Sequence, residues 1–389
     1  MSLFNFGVSF WLFLICLPAA AYPEFIGYGY TTCITCHFNS NGNGALTDYG
    51  RALFSQEIAA RPWVSKALSD EDLATLSSFI PGVELPYWFR PSAKYRGLYL
   101  ERAPTSSMAQ YSWINMQMEL GATLSWDRGY KTIFSFTYNN LQVPRDYYGN
   151  EEEVSWVLRD YYLRTYLTRS ILFSVGLMDK VYGLRTVDHT AYNRQGLGFG
   201  QENQAHGIVL QWLQSQFDFS VNYFVGNLQK NEKMHQKGFS FQGEYEVASL
   251  NRFGMSGALF ENTAGIEEKL FALHHRMGFE GSKGTSLLGE LGFVEKNVVG
   301  ISKLSQGVYG YLEALVNLTR GYNFYTSLER VQESASPGSP DRQRWAIGLW
   351  TFPFQRVEIR GSAVQQKAYN DQGGEPDAWM IQGQVHVSM

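Results

Sequence analysis

Cys33-Ile34-Thr35-Cys36-His37 is the stretch of this chain whose residue types and spacing point to a defined chemistry. Two thiols three positions apart, with a histidine directly after them, form the pattern that attaches c-type haem. The thiols add to the two vinyl groups, and the adjacent imidazole is placed to take the iron from the proximal face. Three other readings compete. A redox dithiol calls for a thioredoxin-like βαβ surround, which the flanking sequence lacks. A zinc site needs more ligands, yet no further Cys follows and the next histidine is His189. A structural disulfide between Cys33 and Cys36 is the third.

The segment that precedes this motif carries an export signal. Met1 to Ala21 holds an apolar run, Val8 to Leu17, broken by Ser9 and too short to anchor in a bilayer. Ala19 and Ala21 fit the small-residue rule for cleavage before Tyr22, although no Lys or Arg precedes the run. Cys16, the third cysteine, lacks the small residues before it that lipidation requires and falls in the removed segment. An exported chain meets a compartment where haem is attached to paired thiols.

Bulk properties narrow the class. A length of 389 admits one large domain or two smaller ones, and a net charge of −4 offers no basic surface for nucleic acid. Beyond the signal, no stretch reaches the ~20 apolar residues of a membrane helix. Aromatics make up 15% of the chain and glycine numbers 38, a composition in keeping with an outer-membrane β-barrel.

Residues 22–92 read as a small helical unit. Asn39 to Gly44 is turn-rich, and Leu46, Tyr49, Leu53, Phe54 and Ile58 recur at helical spacing, with Gly50 as the discordant residue. Ser69 and Asp72 form a capping-box pattern ahead of Leu73, Leu76 and Phe79, with Pro81-Gly82 as the stop. So small a unit has little core of its own unless haem or a surrounding wall completes it.

Residues 93–389 change period from helical to two. Asn115 to Trp126, Phe217 to Tyr223, Phe239 to Val247 and Trp345 to Phe352 alternate apolar with polar or small residues. Counting all such runs predicts about 16 antiparallel strands from Tyr95 onward, ending with Trp379 to Met389. Tight turns are expected at Asp127-Arg128-Gly129, Thr168-Arg169, Ser249-Leu250-Asn251, Gly281 to Gly284, Arg320-Gly321 and Pro353-Phe354. Longer polar loops are expected at Gln142 to Glu152, Gln229 to Lys237, Glu333 to Asp341 and Ala368 to Pro376. Short turns on one side and long loops on the other describe a transmembrane barrel with both ends of the chain on the periplasmic side. In the last strand Ile381, Gly383, Val385 and Val387 should face lipid, and Gln382, Gln384, His386 and Ser388 the lumen; Met389 stands where such barrels commonly end on an aromatic.

The opening Ala21-Tyr22-Pro23-Glu24-Phe25, the haem motif, and Leu46-Thr47-Asp48-Tyr49-Gly50-Arg51 together resemble the fused monohaem cytochrome–porins of iron-oxidising bacteria. The resemblance in motif covers about 30 residues and is architectural beyond them. It implies one covalent haem c domain ahead of a barrel of about 16 strands in the bacterial outer membrane. Where the family has Ala-Arg-Gln-Thr after the Phe, this chain has Ile26-Gly27-Tyr28-Gly29, a departure that bears on iron(II) as the donor.

Three functions follow from these features. The first is electron transfer through the haem, held by Cys33 and Cys36 with His37 proximal, between an extracellular donor such as iron(II) and a periplasmic c-type cytochrome. The second is a solute-conducting porin whose haem unit is a plug or redox sensor. The third is a peroxidase-like enzyme with an open sixth iron position. A plugged lumen favours the first over the second. The helical unit has no Met or His between Phe38 and Ser107, so a second ligand has to come from the barrel. The longest connection, Val181 to about Gln204, is expected to fold into the lumen; it carries His189, the distal candidate, with His206, Met108 or an open position as alternatives. The other polar clusters read as ordinary surface or wall. Asp188-His189 and Glu202 to His206 are loop residues, His274-His275 straddle a strand and point to opposite faces, and Glu151-Glu152-Glu153 is a solvated loop run.

Overall fold

The computed structural model describes residues 23–388 apart from 43, 62–67, 80–82, 105–109, 141–155, 189, 201, 264, 299–303, 335–338, 340, 371–372 and 375–377. The expected signal segment, Met108, His189, Glu151-Glu152-Glu153 and the loop Gln142 to Glu152 therefore lie outside the described residues.

Sixteen long antiparallel strands and one two-residue strand follow a short helical unit: β1 (Phe89–Pro104), β2 (Gln110–Ser125), β3 (Thr132–Asn140), β4 (Trp156–Tyr166), β5 (Ile171–Met178), β6 (Ala205–Leu213), β7 (Phe217–Phe224) and β8 (Gln236–Ala248). The second half comprises β9 (Asn251–Asn262), β10 (Ile266–Gly278), β11 (Ser286–Val298), β12 (Leu304–Thr319), β13 (Tyr322–Gln332), β14 (Asp341–Phe354), β15 (Val357–Asn370), β16 (Gly373–Gly374) and β17 (Ala378–Ser388). Each long strand pairs with the next long strand in sequence, β15 pairing with both β17 and the short β16, and β1 also pairs with β17 over Lys94↔Ser388 to Pro104↔Ala378, which closes the sheet into a barrel. Closure leaves no open edge to pair with other chains.

The period-two pattern sets the faces. On β10, Leu270, Ala272, His274 and Arg276 are buried toward the lumen while Phe271 and Leu273 are exposed on the outside, and His275 stacks on Phe253 at 4.0 Å. On β17, Trp379 and Ile381 face out and His386 is buried, as the alternation predicts. The outer face collects Leu259, Leu291, Leu312, Leu328 and Ile359, an apolar belt that needs lipid around it. No helix among the described residues is long and apolar enough to cross a membrane.

Two boundaries differ from expectation. The first strand opens at Phe89 rather than Tyr95, because Phe89 to Ala93 pair with β2 alone and β17 ends at Ser388, opposite Lys94. Pro91 is tolerated there, since a strand with one neighbour can spare an N–H. At the other end the β14–β15 turn is Gln355-Arg356 rather than Pro353-Phe354, and β15 runs on to Asn370, extending the ladder into residues read as loop. Tight turns at Ser249-Leu250 and Arg320-Gly321 share the end where β1 begins and β17 finishes.

The helical unit enters the lumen from that same end. It consists of 3₁₀ turns at Pro23–Tyr28 and Cys33–Thr35, a helix at Asp48–Leu53 running into a π-helical turn at Phe54–Ile58, and a helix at Asp70–Leu76. Ser69 accepts from the Asp72 backbone N–H and Asp72 accepts from that of Ser69, so the capping box is complete. This second helix ends at Leu76, capped by Ser77, ahead of the expected Pro81-Gly82 stop. The barrel supplies the core that so few residues cannot build. Phe25, Tyr28, Ile58 and Ala59 pack with Leu315, Tyr325, Trp350 and Phe352 of the wall. Side chains at the short turns hold the unit's backbone: Arg320 donates to the carbonyls of Ser55 and Ala59, and Arg356 to that of Phe79. Gly27 accepts from Gly284 at 2.6 Å, an approach so close that a Cβ on Gly27 would fall 2.5 Å from the Thr285 carbonyl oxygen.

Candidate functional site

The haem motif is bent by its own backbone. The His37 N–H donates to the Cys33 carbonyl at 2.9 Å, which closes one turn and brings both thiols and the imidazole to one short segment. The following chain reverses through the Asn39 to Gly44 turns, and His37 bridges to Leu46 while Phe38 N–H donates to Ala45. Thr47 then caps the helix Asp48–Leu53 with its hydroxyl on Gly50 N–H at 3.0 Å.

Gly50, the discordant residue in the helical pattern, has a packing reason. A Cβ at this position would lie 2.3 Å from the Cys36 carbonyl oxygen, so the helix can lie against the haem motif only without a side chain here. Gly50→Ala is expected to cost about 1–3 kcal/mol by overpacking and, on the reading that the motif attaches haem, to lower the fraction of chains that carry it covalently. Peptide mass analysis of the purified variant checks this; loading equal to the parent would show that the helix can move aside.

Cys33 and Cys36 form no disulfide with each other. Burial raises both thiols, and Cys36, with Cys33 beside it, is pushed up to about 12. A redox dithiol needs at least one low-lying thiolate, so these protonated thiols speak against that reading. Among the described residues no group of three His, Cys, Asp or Glu is gathered for a metal ion.

Two cavities meet at His37. One is lined by Cys36 and His37 together with Phe25, Leu46, Leu53, Phe54, Ile58 and Phe352, an apolar set, and by the cations of Arg51, Lys94, Arg96 and Arg356. The other is lined by Cys33 and His37 with Arg185, Asp218, Glu244 and Arg276, and by Lys180 to Asp188. The donor set fits a covalently held haem. Cys36 and His37 stand at apolar walls suited to a porphyrin face, with cations for its carboxylates, and Cys33 stands on the other side of His37, in the polar cavity. His386 lines the same cavity, and its Nε2 is a buried ring nitrogen with no hydrogen-bond partner among the described residues.

Arg51 of the Tyr49-Gly50-Arg51 segment ties the helix to the wall: its Nη2 donates to the Pro91 carbonyl at 3.1 Å, and burial lowers its guanidinium to about 10. Arg90 clamps Asp48 from the wall through two nitrogens, at 2.7–2.9 Å.

The connection between β5 and β6 folds into the lumen from the opposite end, as expected of the longest loop. Its backbone is held by the wall: Gly183 N–H donates to Ser256 at 3.0 Å, Leu184 N–H to Glu290, and Tyr192 N–H to Glu329 at 2.7 Å. Asp188 pairs with Arg344 at 2.6 Å. Burial pushes Asp188 up, but Arg344 and Arg360 outweigh it and hold the carboxyl well below the usual range. Burial also lowers Lys180 to about 7; its ammonium sits 4.8 Å from the Phe199 ring centre and 5.0 Å from that of Phe224. Nothing in the sequence marked Lys180, since its setting comes from rings on the loop and on β7.

Of the distal candidates, His189 and Met108 lie outside the described residues. His206 is described, and its ring is engaged elsewhere: Nε2 meets the Tyr161 hydroxyl at 2.6 Å, and Nδ1 accepts from the Leu228 N–H at 3.1 Å. It lines neither cavity at the haem motif. His274 is buried and pairs with Glu244 at 3.1 Å, while its neighbour His275 is on the outer side.

Neither a protein-family model nor a curated protein sequence matches the chain. In fold it is similar to the outer-membrane OmpT of Vibrio cholerae, with a TM-score of 0.60 at 8% identity over 79% of this chain and 99% of that one. It is also similar to the anion-selective porin of Comamonas acidovorans, with a TM-score of 0.58 at 11% identity over 77% and 99% of the two chains. The outer-membrane channel DcaP of Acinetobacter baumannii gives 0.55 at 10% identity over 77% and 97%. At these identities the likeness is one of fold. A closed barrel with an apolar outer belt and a polar, filled lumen is an outer-membrane structure, and the wall of this chain is in contact with outer-membrane lipid.

Proposed function

We propose that this protein passes electrons across the bacterial outer membrane through one c-type haem held inside a porin-type barrel. Cys33 and Cys36 would hold the group through thioethers and His37 would take its iron, with an extracellular donor such as iron(II) on one side and a periplasmic c-type cytochrome on the other. The observation that carries this reading is the cavity shared by Cys36 and His37, apolar on its walls and enclosed between the helical unit and the barrel. When bound, the haem supplies one-electron exchange in a layer that otherwise insulates.

The chain's own residues contribute position and environment. Phe25, Leu53, Phe54 and Phe352 keep water from the cavity, and Arg51, Lys94 and Arg96 bring positive charge to its polar side. The unit filling one end of the lumen and the loop filling the other support conduction of electrons over conduction of solutes. The second reading, a solute porin with a haem-bearing plug or sensor, is favoured by the structural neighbours whose titles name an anion-selective porin and an outer-membrane channel.

Vesicles carrying the purified protein and enclosing an oxidised c-type cytochrome separate the two. Iron(II) added outside should reduce the enclosed cytochrome, and protein-free vesicles should not respond. Vesicles that leak small anions or sugars freely, yet leave the enclosed cytochrome oxidised, would overturn the electron-transfer reading in favour of the porin.

A further inference from the structure

On the reading that a haem is held by Cys33, Cys36 and His37, we infer that His386 of the last strand is the second axial ligand to its iron. Closure of the barrel places His386 between two partners by register, Arg96 on β1 and Glu358 on β15. Its ring is buried on the lumen side, in the cavity lined by Cys36 and His37.

The two ring nitrogens have different surroundings. Nδ1 lies 2.9 Å from the Glu358 carboxylate and 3.4 Å from Arg96 Nη2. A guanidinium only donates and a carboxylate only accepts, so the shorter contact decides that Nδ1 carries the proton and donates it to Glu358. That leaves the lone pair on Nε2, the buried atom with no hydrogen-bond partner among the described residues. An imidazole whose far nitrogen donates to a carboxylate is the arrangement that orients a metal-ligating histidine and raises its basicity.

A merely structural role explains less. A buried ring acceptor without a partner carries the full desolvation cost of that atom, and a packing residue at this position would incur that cost for nothing. Coordination would satisfy the nitrogen. Among the described residues lining the cavity there is no methionine and no imidazole beyond His37 and His386. Lys94, another candidate donor, is turned to Glu119 at 3.8 Å.

The test uses the full-length holoprotein purified from outer membranes, read by low-temperature EPR and the visible spectrum of the ferric form. The parent should be low-spin with two imidazoles. His386→Ala should keep its covalent haem mass and its heat-modifiable gel mobility, lose the low-spin signal, and regain it on addition of free imidazole. If the alanine variant fails to fold, His386→Met serves instead: low spin retained, with a reduction potential above the parent's. A low-spin signal unchanged in His386→Ala, or a parent that is high-spin, overturns the inference while leaving the haem reading intact. Loss of low spin in His189→Ala but not in His386→Ala overturns it in favour of the loop. A parent chain with no covalent haem mass sinks the haem reading, and this inference with it.

Discussion

If Cys33 and Cys36 hold a haem as proposed, Cys33→Ser together with Cys36→Ser should remove covalent haem from the chain altogether and leave an intact barrel without visible absorbance. The two thiols are not cross-linked to each other, so their loss costs the fold no disulfide. The barrel closes through β1 and β17, whose pairing includes no residue of the Cys33 to His37 motif itself. What is lost is the pair of thioether bonds, and a hydroxyl cannot replace a thiol in that addition. The effect on electron transfer into vesicles should be complete, whereas either single substitution leaves one attachment point and a partly loaded population. Heat-modifiable gel mobility reports the barrel, peptide mass the haem, and the enclosed cytochrome the function. A double variant with the parent's spectrum would mean that the pigment is held by other residues and would end the haem reading.

Much of this architecture can be read from alternation alone, because a wall with lipid on one side and a filled lumen on the other imposes period two on every strand. Leu273, His274 and His275 show it residue by residue: exposed, buried against Glu244, and stacked outside on Phe253. The Cys33 to His37 pattern is visible in the sequence for another reason, being contiguous. What cannot be read is whatever register brings together. Gly50 looks like a flaw in a helix until the Cys36 backbone is found against it. His386 is placed on the lumen side by its parity, but its meaning depends on Arg96 and Glu358, hundreds and tens of residues away, arriving on the two flanking strands. Lys180 has the same character, since its aromatic surround comes from β7, β9 and its own loop. Strand ends are lost for a simpler reason: Phe89 to Ala93 pair on one side only and carry Pro91, so their sequence does not look like a strand.

Deleting residues 23–86 should convert the protein into an open channel. Ion conductance in planar bilayers would rise at least about tenfold, because a barrel of 16 strands without filling leaves an aqueous pore. The wall can survive this. Its ladder is continuous around the circle, and the groups the deletion uncovers are polar ones that water can satisfy, such as Arg276 Nη2, which now donates to the Thr31 carbonyl, and Asn317, which donates to the Tyr28 hydroxyl. The apolar contacts of Leu315, Tyr325, Trp350 and Phe352 with Phe25, Tyr28 and Ile58 are the part that is lost, so the truncated barrel should also be less resistant to heat. The loop between β5 and β6 stays anchored to Ser256, Glu290, Glu329 and Arg344 of the wall, the last through its pair with Asp188, and narrows the pore from the other end. A further variant, Asp188→Ala with Arg344→Ala in the truncated chain, should therefore conduct more than the truncation alone. Conductance unchanged by the deletion would show that the loop closes the lumen by itself, and the helical unit would then be a carrier of the haem motif rather than a plug.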